Sequence, residues 1–236
     1  MYEMNKKTRS LIERFDEIAS TNDYLKEKRA EGIDRIAIAK AQTGGRGTKG
    51  RSFSSNVGGL YLSALRFYEN LSAKDGFKIM AGAAVAVCKT LKNAGVEPCV
   101  KWPNDVHVNG KKICGILIEN TLSGGKISSS IVGVGINVSN RLPEELKEIA
   151  TTLNMETGKG FSPADLEQSL IDGLFSEVDM QEYLSFLGYM GQSAELLSGE
   201  ERYTATLLSV DEQGCLWADV NGEKRCFSAA EISLRL

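Results

Sequence analysis

Cationic side chains and glycines are concentrated in one short stretch of the chain, residues 44–52. The stretch reads Gly44-Gly45-Arg46-Gly47-Thr48-Lys49-Gly50-Arg51-Ser52. Glycine lets backbone N–H groups approach a ligand closely, and Arg and Lys supply charge and hydrogen-bond donors for a phosphate or a carboxylate. The composition of this stretch therefore predicts a loop that binds an anion, the alternative being a solvated basic turn.

The residues after this loop argue against a P-loop. Gly45 to Ser52 nearly matches the P-loop spacing, but Arg51 stands where the lysine should be. A P-loop has to open a helix, because the helix N-terminus completes the phosphate cradle. Turn-forming residues and then an alternating apolar run, residues 60–67, follow instead. We therefore do not expect a P-loop NTPase.

A second group of polar residues lies on a predicted β-hairpin. Two strand-like runs flank Asn109-Gly110, a strong hairpin signal. A hairpin of this length makes Asp105 and Lys112 near neighbours. The pair is either a structural ion pair, or a carboxylate that accepts a proton or holds a metal and faces a cation that binds an anion. Spacing alone leaves both interpretations open.

Nucleophilic and zinc catalysis are not expected. The single histidine, His107, cannot build a histidine metal cluster, and we interpret it as a partly exposed strand residue rather than a catalytic base. The five cysteines form no Cys-x-x-Cys pair and are typical of reduced thiols in the cytoplasm.

The overall composition is that of an ordinary globular protein. The chain has 236 residues and a net charge of −3, so the basic loop is a local feature, and general nucleic-acid binding is not expected. No apolar run is long enough to span a membrane. The N-terminal residues lack the apolar core of a signal peptide, so we expect a cytoplasmic protein.

Periodicity predicts a mixture of helices and strands around these residues. Ser20 or Thr21 should cap a helix over about residues 22–30. Their hydroxyl groups either serve only as helix caps or also offer hydrogen-bond donors to a polar ligand. We expect strands at 35–41, 59–68 and 126–138, a buried helix at 75–94, and helices at 143–150, 163–178 and 180–188. Gly133-Val134-Gly135 begins like a dinucleotide fingerprint, but no third glycine or helix follows. Short β-runs from about residue 201 predict a small all-β barrel.

Taken together and in order, these motifs resemble the biotin protein ligase family over residues 15–236. The blocks that carry the resemblance are Ser20-Thr21-Asn22, Gln42, Gly45-Arg46-Gly47 with Gly50-Arg51, Lys101-Trp102-Pro103-Asn104-Asp105, Lys112-Ile113, Gly115-Ile116-Leu117-Ile118-Glu119, Gly133 with Gly135-Ile136-Asn137, and the closing residues 231–235. The Lys-Trp-Pro-Asn-Asp and Gly-Arg-Gly blocks together are highly specific.

The resemblance implies an α+β fold, a mixed β-sheet flanked by helices as in class II synthetase-like biotin and lipoate ligases. It implies a catalytic domain at 1–195 and an SH3-like barrel at 196–236. The implied activity forms biotinyl-5′-AMP from biotin and ATP with Mg²⁺, and then passes biotin to a lysine of a biotin carboxyl carrier domain. No DNA or membrane partner is implied, and the chain could be a monomer or a homodimer.

The resemblance also assigns candidate roles to individual residues. Those implied to be catalytic are Lys112, Arg46 and Asp105, the last as proton acceptor or Mg²⁺ ligand. Those implied to bind biotin are Ser20, Thr21, Asn22, Gln42, Gly45, Arg46, Gly47, Thr48, Lys112 and Gly115. Those implied to bind ATP are Arg51, Trp102, Asn104 and Asn137, with a structural role for Trp102 as the alternative.

The chain departs from the family pattern at three places. Thr48 stands where some relatives have an arginine that helps retain the adenylate. Lys49 could partly replace the charge of that arginine. Phe53 stands where a tryptophan is common. About 14 residues precede Phe15, too few for a helix-turn-helix domain, so a repressor role is not expected. A lipoate ligase or octanoyl transferase of the same fold, and a non-catalytic module that binds biotin, remain as alternatives.

Overall fold

An eight-stranded mixed sheet forms the larger part of the protein. The structure is a computed structural model that describes residues 2–5, 10–177 and 179–235. The strands lie in the order β1-β2-β3-β4-β8-β7-β6-β5, and β2 and β3 pair in parallel while the other neighbours are antiparallel. Their bounds are Tyr2–Asn5 (β1), Ser10–Ile18 (β2), Arg35–Gln42 (β3), Leu60–Ser72 (β4), Cys99–Lys101 (β5), Asp105–Val108 (β6), Lys111–Ser123 (β7) and Lys126–Ile136 (β8).

Helices cover both faces of this sheet. Side chains of a strand point alternately to its two faces. Accordingly, Ala37 packs with Leu25 of the first helix, whereas Ile36 and Ile38 lie in the main core with the second. The helices are α1 (Thr21–Lys28), α2 (Phe77–Asn93), α3 (Leu153–Thr157), α4 (Pro163–Leu174) and α5 (Met180–Phe186), and α2 packs against α4 and α5. No helix in the described ranges is long and apolar enough to cross a membrane.

A second, five-stranded antiparallel sheet follows near the end of the chain. It consists of β9 (Ser193–Ser198), β10 (Glu201–Val210), β11 (Leu216–Val220), β12 (Glu223–Phe227) and β13 (Ser233–Arg235), in the order β12-β11-β10-β9-β13. The expected α+β class is confirmed, and the second antiparallel sheet is consistent with the expected SH3-like module, whose closure into a barrel stays a prediction. The division at residue 195 stays a prediction, and β9 spans that position.

Two predicted elements differ from the structure. The helix expected at 143–150 is a short 3₁₀ turn, Glu144–Leu146, because the backbone that follows pairs with β7. There the N–H of Lys112 donates to Ile149 O at 2.9 Å, and the N–H of Thr151 donates to Lys112 O at 2.9 Å. The helix expected to run to residue 178 ends at Leu174, and residue 178 lies outside the described residues.

His107 was also placed wrongly by the sequence. The residue is only 6% exposed rather than partly exposed as predicted, and its Nδ1 lies 2.9 Å from Tyr189 Oη. Burial, followed by the nearby charge of Lys101, lowers its pKa to about 4. The alternation on a short strand did not reveal that residues 187–190 cover this face.

Candidate active site

Most of the predicted site residues line one pocket at the ends of β3, β7 and β8, next to the N-terminus of α1. Thr21, Gln42 and neighbouring uncharged polar side chains line one part of the pocket, here called the uncharged end. Lys112 and Asp105 line another part, here called the cationic end. The lining residues are Ser20, Thr21, Asn22, Gln42, Arg46, Gly47, Thr48, Arg51, Ser52, Phe53, Ser63, Asn104, Asp105, Lys112, Gly115, Ile116, Leu117, Gly133, Val134 and Gly135.

A hydrogen-bond network fixes the uncharged end. Gln42 Oε1 accepts from the backbone N–H of Thr21 at 2.8 Å and from its hydroxyl at 3.0 Å. Thr21 Oγ1 lies 2.7 Å from Ser63 Oγ, and Ser63 Oγ donates to Asn22 Oδ1 at 2.6 Å. Ser20 caps α1, with its Oγ accepting from the N–H of Asp23. Because these groups hold one another in place, they present fixed donors and acceptors to a polar ligand.

The cationic end is organised by the β6–β7 hairpin that the sequence predicted. Lys112 Nζ lies 2.7 Å from Asp105 Oδ1, so the expected ion pair is present. The pairing of β6 with β7 shifts register between Val106 and His107, as in a β-bulge. Lys112 Nζ also lies 5.8 Å from the centre of the Phe53 ring. The Lys112 cation therefore lies between a carboxylate and an aromatic side chain.

The glycine-rich loop is closed by its own backbone hydrogen bonds. Gly47 N donates to Arg51 O at 2.6 Å, and Phe53 N donates to Gly45 O at 2.9 Å. Lys49 adopts a left-handed φ of 56°. Its Nζ donates to Ile232 O at 2.8 Å and to Ser233 Oγ at 3.1 Å. The Lys49 cation thus contacts the second sheet and is not among the residues that line the pocket. That it partly replaces the charge of the missing arginine stays a prediction.

Acidic side chains hold Arg46. Its Nη2 donates to Asp23 Oδ1 at 2.6 Å and to Glu119 Oε2 at 3.2 Å. Glu119 also binds Lys26 and Asn22. Burial alone would raise the pKa of Glu119, but the hydrogen bonds and cations around it lower the pKa overall, so this carboxylate is ionised near neutral pH. The sequence analysis assigned no role to Glu119. An anion that binds Arg46 has to compete with Asp23 and Glu119.

Glycines on β8 make room for two pocket side chains. A Cβ on Gly133 would lie 2.3 Å from Asn22 Oδ1, and one on Gly135 would lie 2.6 Å from Phe53 Cε1. Such distances are too short for real contacts, so a side chain at either position would force Asn22 or Phe53 to move. The pattern that resembled a dinucleotide fingerprint is explained by these contacts within the protein.

Three predicted residues lie outside the pocket lining. Gly45 is buried, and a Cβ there would lie 2.4 Å from Phe53 O. Trp102 is 2% exposed, and its Nε1 donates to Gly214 O at 3.0 Å in the turn between β10 and β11. This contact fits the structural alternative, and its role at the ATP side stays a prediction. Asn137 is buried, and its Oδ1 accepts from Asn140 Nδ2 at 3.1 Å.

Ser63 is a pocket residue that the sequence analysis missed. It lies on the predicted strand β4, within the run Leu60-Tyr61-Leu62-Ser63-Ala64-Leu65. A hydroxyl in the middle of an otherwise apolar, fully buried run requires a hydrogen-bond partner. That requirement was the signal that could have identified Ser63.

Comparison with known proteins shows the family of this chain. Residues 15–137 match the model of the Biotin/lipoate A/B protein ligase family, which is more than half of the chain. The chain belongs to this family. It is 31% identical over 235 residues to the bifunctional ligase/repressor BirA of Escherichia coli, with 92% of this chain and 72% of that protein covered.

Further relatives in the biotin/lipoate protein ligase family extend the match. The BirA of Bacillus subtilis is 31% identical over 211 residues, with 82% of this chain covered, and the chain spans 64% of the length of that protein. The solved structure of biotin protein ligase from Aquifex aeolicus in complex with biotin and ATP has a TM-score of 0.76 and 31% identity, with 95% of this chain and 98% of that chain covered.

Proposed function

We propose that this protein is an ATP-dependent biotin protein ligase. It activates biotin as biotinyl-5′-AMP and transfers the biotinyl group to a lysine of a biotin carboxyl carrier domain. The observation that carries the proposal is the two-ended pocket, in which an uncharged polar network adjoins a cationic end. Biotin has the matching chemistry, with a ureido ring at one end and a carboxylate at the other.

The uncharged end recognises the ureido ring. That ring offers N–H donors and a carbonyl acceptor, and a buried polar site that pairs with them rejects molecules that lack them. Thr21, Asn22, Gln42 and Ser63 provide hydroxyl and amide groups of both kinds within one network. Lipoate and octanoate carry no such ring, so this end favours biotin over both.

The cationic end promotes the first half-reaction. An oxygen of the biotin carboxylate attacks the α-phosphorus of ATP, the bond to the β-phosphate oxygen breaks, and pyrophosphate leaves. Two anions have to approach each other, so positive charge between them lowers the barrier. Lys112 is the best placed cation, since it lines the pocket beside Asp105, and Arg51 adds charge on the side of Asn104. Arg46 also contributes positive charge once an anion displaces Asp23 and Glu119 from its guanidinium group.

The second half-reaction uses the carboxylate of the same ion pair. The amine of the acceptor lysine attacks the acyl carbon of biotinyl-5′-AMP, the bond to the AMP oxygen breaks, and the amine loses a proton. Asp105 is 26% exposed at its side chain and lines the pocket. It is therefore accessible to an amine that enters from solvent, and we assign it as the proton acceptor.

The donor set does not favour a resident Mg²⁺ on the protein. Asp105 is the carboxylate among the described lining residues, and Lys112 Nζ occupies it at 2.7 Å. Mg²⁺ prefers near-octahedral oxygen coordination with several waters and phosphate oxygens. We propose that Mg²⁺ enters with ATP on its phosphates, and no step of the protein's chemistry depends on a fixed metal ligand.

Biotin-dependent ATP–pyrophosphate exchange tests the proposal. Exchange should appear with biotin and stay at background with lipoate or octanoate, and mass spectrometry should show one biotinyl group on the lysine of a carrier domain after addition of ATP and Mg²⁺. Exchange with lipoate alone would assign the chain to the other activity of the fold. Biotin binding without any exchange would instead show a non-catalytic module.

A further inference from the structure

Two of the five cysteines meet in the second sheet, far along the chain from the ligand pocket. Asp211, Cys215 and Cys226 each offer one ligand atom, and these three atoms lie within 4.8 Å of one another. Cys215 precedes β11, and Cys226 lies on β12, where it pairs with Trp217 of β11. Cross-strand pairing therefore brings together two thiols that are separated by 11 positions in the sequence.

Backbone hydrogen bonds hold two of the three ligands rigidly. Asp211 N donates to Cys215 O at 3.1 Å, and Gly214 N donates to Asp211 O at 2.9 Å. In return, Asp211 Oδ1 accepts from the N–H groups of Gln213 at 3.0 Å and Cys215 at 2.9 Å. The turn is closed before any ligand binds, which lowers the cost of ordering a site.

The Asp211 carboxylate retains coordination capacity. Each carboxylate oxygen carries two lone pairs. The two N–H donors above fill Oδ1, whereas Oδ2 accepts a single hydrogen bond, from Trp217 Nε1 at 3.1 Å. One lone pair of Oδ2 is left for a cation, and the three hydrogen bonds fix the carboxylate in the way that outer-shell groups orient metal ligands.

The charges near the cluster favour a cation. Among the described groups that act on the Cys226 thiol, the charged side chains are Asp211 and Glu231, and none is cationic. A cation bound there would be attracted by these carboxylates and would displace the thiol protons.

We propose that Asp211, Cys215 and Cys226 form a binding site for a thiophilic divalent cation, with Zn²⁺ as the fitting ion. Two thiolates and one carboxylate with a water in the fourth position make a tetrahedral zinc site. Zn–S bonds of about 2.3 Å place the two sulfurs about 3.8 Å apart, and the ligand atoms of the cluster already lie within 4.8 Å of one another. Both thiol protons pass to the buffer when the metal binds.

The site would stabilise the contact between the two sheets. Gly214, inside the closed turn, accepts the indole N–H of Trp102 and packs against Phe77 so tightly that a Cβ would lie 2.1 Å from that ring. Trp102 precedes Asn104 and Asp105, which line the ligand pocket. A metal that fixes the turn therefore also supports the strand end that carries these two residues.

Metal titration of the full chain, reduced with a phosphine and stripped with a chelator, tests the proposal. Co²⁺, which substitutes for Zn²⁺, should give thiolate-to-cobalt charge-transfer absorption that saturates at one equivalent and disappears when Zn²⁺ is added. Trp217 fluorescence should change in parallel, because its indole binds the Asp211 carboxylate. Zn²⁺ should raise the melting temperature.

Matched cysteine variants separate this site from the other thiols. Cys215→Ser and Cys226→Ser should each lose the charge-transfer band and weaken metal affinity at least tenfold, and Asp211→Asn should weaken it with the turn retained. Cys99→Ser, which removes a half-buried thiol elsewhere, should bind as the wild type does. Absence of the band in the wild type would overturn the proposal. So would a band unchanged in Cys226→Ser, or Cys215 and Cys226 thiols that react equally fast with and without Zn²⁺.

Discussion

Replacing Lys112 by glutamine removes the central cation of the pocket while keeping a side chain of similar length. In the structure, Lys112 Nζ lies 2.7 Å from Asp105 Oδ1, and the two side chains are 33% and 26% exposed. A pair that is this accessible contributes only about 1 kcal/mol to stability. We therefore expect Lys112→Gln to fold normally and to lose activity.

The expected loss of activity follows from Coulomb's law. A negative charge that develops about 4 Å from Nζ is stabilised by about 1 kcal/mol at the dielectric constant of water and by about 4 kcal/mol at an effective value of 20. The pocket is partly enclosed, so we take about 3 kcal/mol. Since about 1.4 kcal/mol corresponds to a factor of ten in rate, kcat/KM for pyrophosphate exchange should fall about 10²-fold.

The neighbouring lysine provides the control for this experiment. Lys111 lies on the same strand, but its Nζ donates to Lys147 O at 2.9 Å outside the pocket. Lys111→Gln should therefore exchange pyrophosphate at close to the wild-type rate, and urea unfolding should show that both variants are folded. If Lys112→Gln kept its kcat/KM within threefold of the wild type, the assignment of Lys112 as the cation between the two anions would be wrong.

Three further predictions concern other parts of the molecule. Gln42→Ala removes the acceptor that binds Thr21 at the uncharged end. The KM for biotin in the exchange assay should therefore rise about tenfold, which corresponds to a loss of about 1.4 kcal/mol of hydrogen bonding, while kcat changes little. Gly135→Ala would place its Cβ 2.6 Å from Phe53 Cε1, so urea unfolding should show a free energy of unfolding lower by about 1–3 kcal/mol. The control, Gly160→Ala, has no atom within 4 Å of its Cβ and should leave the stability nearly unchanged. The pKa of His107 is about 4 in the folded state and about 6.5 in the unfolded state. The unfolded chain therefore binds a proton more readily, and His107 contributes up to about 3 kcal/mol to the free energy of unfolding. This contribution is complete above about pH 6.5 and is lost as the pH falls towards about 4. Urea unfolding between pH 8 and 4.5 should therefore depend less steeply on pH in His107→Gln; an unchanged slope would contradict this account.

Local signals in the sequence predicted several of the residues that the structure brings together in the pocket. Glycine and arginine spacing identified the loop, and Asn109-Gly110 identified the hairpin, because turn geometry depends on residues that are adjacent in the chain. The hairpin in turn fixed the Lys112–Asp105 pair. The polar cap at Ser20 was likewise readable, since capping is a property of a single helix end.

Tertiary structure alone decided which partners these residues find at a distance. Arg46 binds Glu119, which is 73 positions away, and Lys49 binds Ile232, which is 183 positions away. Trp102 contacts Gly214 across the two sheets. The order of the strands and the docking of the second sheet determine these contacts. No local sequence pattern encodes either of them, because both depend on the burial of apolar side chains from all parts of the chain in a common core.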